Sequence, residues 1–195
     1  FFGSRGLYCY DLAGNLKWEK DLGDQQTRND FGEGATPAVF GNAIVVPWDH
    51  EEEDFIVALD KRTGDELWRQ PRDEPTGWAT PLIVEHEGKP QIITVGTKRV
   101  RSYDLATGKQ IWECEGLTTN VIPTPVHANG IVIVMSGYQG NKLLAIRLGR
   151  TGDLTGPDAI VWRVDRNTPY VPSPVLSGNR IFVKDESSLR LWTLN

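Results

Sequence analysis

The feature that most constrains this chain is a two-part marker that recurs in one phase along its 195 residues. A small residue followed by glycine falls at Ala13-Gly14, Thr63-Gly64, Thr107-Gly108 and Thr151-Gly152, so successive glycines lie 50, 44 and 44 residues apart. A tryptophan follows each pair. Trp18, Trp68 and Trp112 come four residues after the glycine, whereas Trp162 comes ten after it, which reads as a six-residue insertion at 153–158. A second marker, Thr-Pro or Ser-Pro, recurs at Pro37, Pro81, Pro125 and Pro174. Between the markers lie short aliphatic and aromatic runs, punctuated by 20 glycines and 12 prolines, with no sustained 3.6-residue period. That pattern predicts an all-β chain.

A unit of 40–45 residues holding four strands is the signature of a β-propeller blade, since helical repeats of that length need amphipathic helices. In the second unit the strands are predicted at 36–40, 42–47, 55–60 and 66–69. The chain then divides into a part-blade (1–23), three blades (34–72, 78–116 and 122–165) and a second part-blade (171–195), about four blades of four-stranded antiparallel sheet. Each marker has a structural reason. Gly14, Gly64, Gly108 and Gly152 supply positive φ for the turn between the third and fourth strands, and Asp11, Asp60 and Asp104 hydrogen-bond that turn. The indoles cover area between blades. Proline at the start of the innermost strand falls where no ladder donor is needed.

Charge narrows the partners. With 21 Lys and Arg against 26 Asp and Glu the net charge is −5, and no basic block supplies a footprint for nucleic acid or for an anionic membrane surface. The longest purely aliphatic run, at 131–134, is far short of the roughly 20 residues of a membrane-inserted helix. Two cysteines, Cys9 and Cys114, suggest no disulfide framework, although one bridge between them stays open. The strand patterns run off both ends, so the chain is expected to be an excerpt of a longer protein.

Residues 58–68 (Ala-Leu-Asp-Lys-Arg-Thr-Gly-Asp-Glu-Leu-Trp) and 102–112 (Ser-Tyr-Asp-Leu-Ala-Thr-Gly-Lys-Gln-Ile-Trp) resemble the tryptophan docking repeat of quinoprotein-type propellers, the PQQ-like repeat family. The resemblance runs through essentially the whole chain. Segments 2–11, 47–50 and 169–174 resemble PQQ-like repeat proteins of environmental bacteria, which are usually exported. The family includes quinoprotein alcohol dehydrogenases and the propeller lipoprotein of the outer-membrane β-barrel assembly machinery, both eight-bladed. The resemblance therefore implies part of an eight-bladed ring, completed by further blades or by a second copy, in a periplasmic or secreted protein. WD40 repeats are set aside, because their Gly-His and Trp-Asp markers are missing from the matching blade positions. The family's dehydrogenases hold PQQ and calcium with a vicinal disulfide, carboxylate and amide oxygens and an Asp base. No two cysteines are adjacent here, so no cofactor is expected.

Candidate chemistry is sparse. The run Asp49-His50-Glu51-Glu52-Glu53-Asp54 offers hard oxygen ligands for calcium, yet lacks the alternating spacing that aims carboxylates at one point, and such hairpin loops are usually solvated. His50, His86 and His127 fall in three loops, the last two on the face opposite His50, so no shared zinc site is expected. No nucleophile elbow, zinc-protease helix or phosphate loop is present. Topology does gather the loops from strand four to the next strand one, and from strand two to strand three, on one face. That face should carry the aromatics Phe31, Trp48, Trp78, Tyr138 and Tyr170. Beside them should lie Arg5, Asp49, Lys98, Arg99, Asn120, Lys142 and Lys184, a mixture suited to a protein or glycan partner. The alternative for Trp78 and Tyr170 is that they plug neighbouring blades. The first expectation is a non-catalytic binding or scaffolding module. The second is a fragment of a PQQ-dependent dehydrogenase-like enzyme or another propeller hydrolase or lyase, in which Asp49→Asn would abolish turnover.

Overall fold

The computed structural model describes residues 1–184 and 188–193, which form five sheets in chain order, antiparallel except for one parallel pair in the third, and, apart from two 3-10 turns, contain no helix. The first sheet has two strands, β1 (Leu7–Tyr10) and β2 (Leu16–Lys20). The second has four, β3 (Ala38–Phe40), β4 (Ala43–Trp48), β5 (Phe55–Asp60) and β6 (Glu66–Pro71). The third is built on β7 (Leu82–His86), β8 (Lys89–Val95), β9 (Val100–Asp104) and β10 (Gln110–Cys114). The fourth holds β11 (Val126–Ala128), β12 (Ile131–Ser136), β13 (Lys142–Arg147) and β15 (Ile160–Val164); β14 (Gly152–Asp153) lies within its last connection. The fifth has β16 (Val175–Ser177), β17 (Arg180–Lys184) and β18 (Leu189–Thr193). Each first strand starts one residue after its marker proline.

Burial explains why the middle strands read as continuous apolar runs. β4, β5, β12 and β13 are covered on both faces by neighbouring sheets, as parallel-sheet strands are in other folds, while outer strands such as β6 alternate. The core is accordingly four inter-sheet clusters. Leu7 and Trp18 meet Val46, Trp48, Val57 and Leu59. Val45, Ile56 and Ala58 meet Ile92 and Tyr103. Ile93, Val100 and Trp112 meet Val132, Val134 and Ile146. Ile133, Leu143 and Ala145 meet Ile181 and Val183.

The glycine turn and the tryptophan turn out to be one device. Trp18 lies across Gly64 of the next sheet, where a Cβ would come within 2.7 Å of the ring, and its Nε1 donates to the Lys61 carbonyl at 3.1 Å. Trp68 lies across Gly108 in the same way, at 2.5 Å, and its Nε1 donates to the Leu105 carbonyl at 2.9 Å. The turn itself is set by Asp60, whose Oδ1 accepts the Arg62 and Thr63 amides, and by Asp104, whose Oδ1 accepts the Thr107 amide.

The third repetition departs from this. Gly152 is not a turn glycine beneath a tryptophan: it has φ +82°, nothing within 4 Å of a Cβ, and sits in β14. β14 pairs in parallel with β10, Trp112 opposite Gly152, so the third sheet has five strands instead of the expected four. The inserted residues let the chain detour along that edge, the Leu154 amide donating to the Glu113 carbonyl at 2.7 Å, before it returns to β15. Leu154 and Ala159 are buried beside Trp112, and Trp112 turns its Nε1 back to Gln91 of its own sheet at 3.3 Å. Trp162 is half-buried against the fifth sheet.

Both cysteines are free, Cys9 in β1 and Cys114 in β10 of a different sheet. Burial pushes the Cys114 thiol up to about 11, whereas Cys9 is half-buried. Because only the thiolate reacts, a thiol reagent at mildly alkaline pH is expected to label one cysteine per native chain, with Cys114 reacting after denaturation. Mass spectrometry of the labelled peptides reads this directly. Rapid native labelling of Cys114 would show that the third inter-sheet core is open.

Candidate binding face

Strand direction brings the β2–β3, β6–β7, β10–β11 and β15–β16 connections to the same end as the β4–β5, β8–β9 and β12–β13 hairpins. The longest, residues 21–37, runs across this end and is tied to three sheets. The Gln25 amide donates to Ser4 Oγ at 2.7 Å and the Gln26 amide to His50 Nδ1 at 3.1 Å. His50 therefore carries its proton on Nε2, which donates to the Glu53 carbonyl at 2.9 Å. The Arg28 amide donates to Thr76 Oγ1 at 2.8 Å, and its guanidinium reaches Thr119 Oγ1 and Asn120 Oδ1, both at 3.2 Å. Thr76 in turn donates to Glu51 at 2.7 Å, which helps hold the Glu51 carboxyl below its ordinary range.

Between the second and third sheets this end contains a buried network of charges. The Arg72 side chain has no solvent exposure and forms a bidentate pair with Asp49, Nε to Oδ1 at 2.6 Å and Nη2 to Oδ2 at 2.9 Å. Its Nη1 donates to Thr94 Oγ1 at 3.0 Å and to the Tyr103 hydroxyl at 2.7 Å. Burial opposes the charge of Arg72, but the Asp49 carboxylate and its other partners outweigh it and raise its pKa. Glu74, equally enclosed, accepts the Lys98 and Arg99 amides at 2.8 and 2.9 Å and Arg101 Nη1 at 2.6 Å. Asp54 accepts the Glu74 amide at 2.6 Å. Burial pushes both the Asp54 and Glu74 carboxyls up. The network joins the 49–54 hairpin, the 72–81 connection and the third sheet into one block.

Towards the neighbouring connections the lining changes from charged to aromatic. Phe31, Gly34, Trp78, Ile122 and Tyr170, from four successive connections, line an open cavity of about 400 Å³. Phe31 and Trp78 approach with ring centres 6.5 Å apart, and Tyr138 stacks on Tyr170 at 4.9 Å. Trp78 Nε1 donates to the Gly32 carbonyl at 2.9 Å, and a Cβ on Gly34 would come within 2.8 Å of the indole. Glycine is required there because the ring rests on the backbone.

The structure thus brings together Phe31, Trp78, Tyr138 and Tyr170 and removes other expected members from the surface. Trp48 is only 1% exposed: it ends β4 on the inward face, stacked on Phe55 at 5.9 Å and edge-on to Phe1 at 6.1 Å. Asp49 is buried in its pair with Arg72, and Asn120 is buried beneath Arg28. Arg99 lies half-buried against Glu113 and Glu115, at 3.2 and 2.8 Å, bracing β9 to β10. Lys98 is exposed near Asp73 at 3.6 Å, and Lys142 pairs with Asp165 at 2.9 Å. Arg5 is exposed on the 3-10 turn before β1, and Lys184 ends β17 at the same end of the fifth sheet.

Among the described residues no three His, Cys, Asp or Glu side chains converge as metal ligands. Within the 49–54 run, Asp49, Glu51 and Asp54 each turn to a different partner. His86 and His127 lie in β7 and β11, not in loops. The two are electrostatic neighbours, and burial lowers the pKa of His127.

Sequence reasoning missed Arg28, Arg72, Glu74, Arg101, Gly34 and Ile122. A signal existed for the last two. Gly34, Trp78 and Ile122 each stand three residues before a marker proline, so the cavity is largely one repeat position viewed in successive units.

Four-stranded sheets repeated around inter-sheet cores, with connections gathered on one end, define a β-propeller built of quinoprotein-like blades. A family model described as outer membrane protein assembly factor BamB matches residues 96–195, just over half of the chain. The chain belongs to this PQQ-like repeat propeller family. It is 28% identical over 121 residues to the outer membrane protein assembly factor BamB of Francisella salina, an alignment covering 60% of this chain and 21% of that protein. The chain thus spans about a fifth of that curated relative's length. The crystal structure of BamB from Moraxella catarrhalis superposes with a TM-score of 0.55 at 15% identity, over 97% of this chain and 67% of that one. A europium-containing methanol dehydrogenase gives a TM-score of 0.51 at 16% identity, over 71% of this chain and 25% of that one. The computationally designed Ika8 protein gives 0.55 at 16% identity, over all of this chain and 57% of that one.

Proposed function

We propose that this propeller segment is a binding and scaffolding module whose loop end docks a protein partner, in the manner of an outer-membrane-protein assembly factor in an exported bacterial protein. The observation that carries the reading is the construction of that end. Three successive sheets are locked by the residue 21–37 connection and by the Asp49–Arg72 and Glu74–Arg101 pairs, giving a rigid platform with the exposed basic side chains of Arg5 and Lys98. Rigid presentation lowers the ordering cost of association, and arginine is among the usual anchors of interfaces.

The residues do not fit a quinone site. Cys9 and Cys114 stand in different sheets, and the aromatic cavity has no basic side chain in its lining to meet the carboxylates of PQQ. Asp49, the carboxylate a dehydrogenase-like reading would use as base, is held in its pair with Arg72.

The test is site-specific photo-crosslinking in cells, with the photoreactive residue placed at Arg5 or Lys98 on the loop end, or at fully exposed Leu12 in the turn at the opposite end. The expected result is a crosslink from the first two positions, and not from Leu12, to a component of outer-membrane-protein assembly. Crosslinks equal from both ends, or absent from the loop end, would overturn the reading.

A further inference from the structure

We propose that the cavity between Phe31, Trp78, Ile122 and Tyr170 binds a neutral sugar ring of a glycan, a site separate from the platform that docks protein.

Four properties of the cavity select this ligand class. Its volume of about 400 Å³ is in the range of small-ligand sites, whereas a protein surface needs a broad contact. Its lining carries no charged side chain, so a phosphate or carboxylate would lose its hydration without gaining a counter-charge. The basic group nearest in sequence, Arg28, has its guanidinium engaged by Thr119 and Asn120.

The rings are also held in place before any ligand arrives. Gly34 lets the Trp78 indole rest on the backbone, and the Nε1 bond to Gly32 fixes its rotation. Tyr138 backs Tyr170 in a stacked pair. Electron-rich ring faces suit the polarised C–H groups of a pyranose. The phenol of Tyr170 has no hydrogen-bond partner among the described residues and can serve a sugar hydroxyl.

An extended peptide is less well matched. It needs a strand edge to satisfy its backbone amides, and the lining residues all lie in connections, outside the strands. The Gly32 carbonyl beside them is already occupied by Trp78.

The experiment titrates the 195-residue chain with cellotriose, maltotriose and chitotriose, and with an uncharged apolar peptide, by calorimetry and tryptophan fluorescence. At least one sugar is expected to bind with a dissociation constant on the order of millimolar. Trp78→Ala and Tyr170→Ala should weaken it by about tenfold or more, and Tyr170→Phe, which keeps the ring and loses only the hydroxyl, by about threefold. The Tyr170→Phe arm keeps the test decisive where a truncation disturbs folding, which circular dichroism reports. No response to any of the three sugars would overturn the proposal. So would sugar binding indifferent to all three substitutions, or binding of the peptide alone. Crosslinking from Arg5 and Lys98 is read independently, so failure of the sugar site leaves the protein-docking reading standing, and the reverse.

Discussion

Replacing Arg72 by methionine is expected to destabilise the chain by about 3–5 kcal/mol, among the largest effects of any single substitution outside the inter-sheet cores. The size comes from what is left behind. Methionine fills the aliphatic part of the arginine site but strands Asp49, 6% exposed, without either of its guanidinium bonds, and removes a donor from Thr94 and Tyr103. Arg72 also stands at the start of the connection carrying Trp78, and its amide donates to the Asp54 carbonyl at 2.9 Å. Removing the pair altogether should be much milder. A double variant, Arg72→Met with Asp49→Leu, is expected to recover at least half of the loss, because an apolar pair of similar volume has no buried charge to compensate. Urea unfolding followed by far-ultraviolet circular dichroism measures both through the shift in midpoint. A single variant within about 1 kcal/mol of the parent would mean that Asp49 reaches solvent and that the platform is not held by this pair.

This network also marks where sequence reading stops. The repeat was legible because it is written in residues whose physics is local: a glycine with positive φ, the Asp that bonds its turn, and an indole at constant spacing. The continuous apolar runs of β5 and β13 likewise announce burial on both faces. What joins the sheets at the loop end is different. Arg72 and Asp49 lie 23 residues apart and Arg101 and Glu74 27 apart, and nothing in a list of 47 charged side chains singles those four out. The same blindness misplaced Trp48, because the alternation that turns it inward is set by its pairing with Phe55 and by Phe1 from the first sheet. Phe31, Trp78 and Tyr170 were nameable as loop aromatics, yet their enclosure of one cavity depends on how far residues 21–37 reach across the end. Gly152 failed for a related reason: the local pattern around it is that of the other turns, and only the inserted residues, by reaching β10, give it another role.

Gly108→Ala should expose the coupling between turn and indole, and the chain contains its own control. At Gly14, φ is +85° and nothing lies within 4 Å of a Cβ, so Gly14→Ala carries only the cost of a left-handed alanine, about 1 kcal/mol. At Gly108, φ is +72° and the new methyl would stand 2.5 Å from the Trp68 ring. To relieve that overlap the indole must slide off the turn and loosen its bond to the Leu105 carbonyl, or the turn itself must shift. The expected loss is about 3–4 kcal/mol, the left-handed alanine plus overpacking and a weakened hydrogen bond. The excess over Gly14→Ala therefore measures the indole contact alone. In a Trp68→Ala background, itself about 3 kcal/mol less stable, the clash is gone. Gly108→Ala should then cost no more than Gly14→Ala does in the parent. Denaturant midpoints of the five proteins close this cycle. Equal losses at Gly14 and Gly108 in the parent would mean that the turn demands glycine for its backbone alone, and that the spacing of Gly and Trp reflects two separate constraints. An excess loss at Gly108 over Gly14 that vanishes with Trp68 would show that one contact, repeated from sheet to sheet, selects both residues.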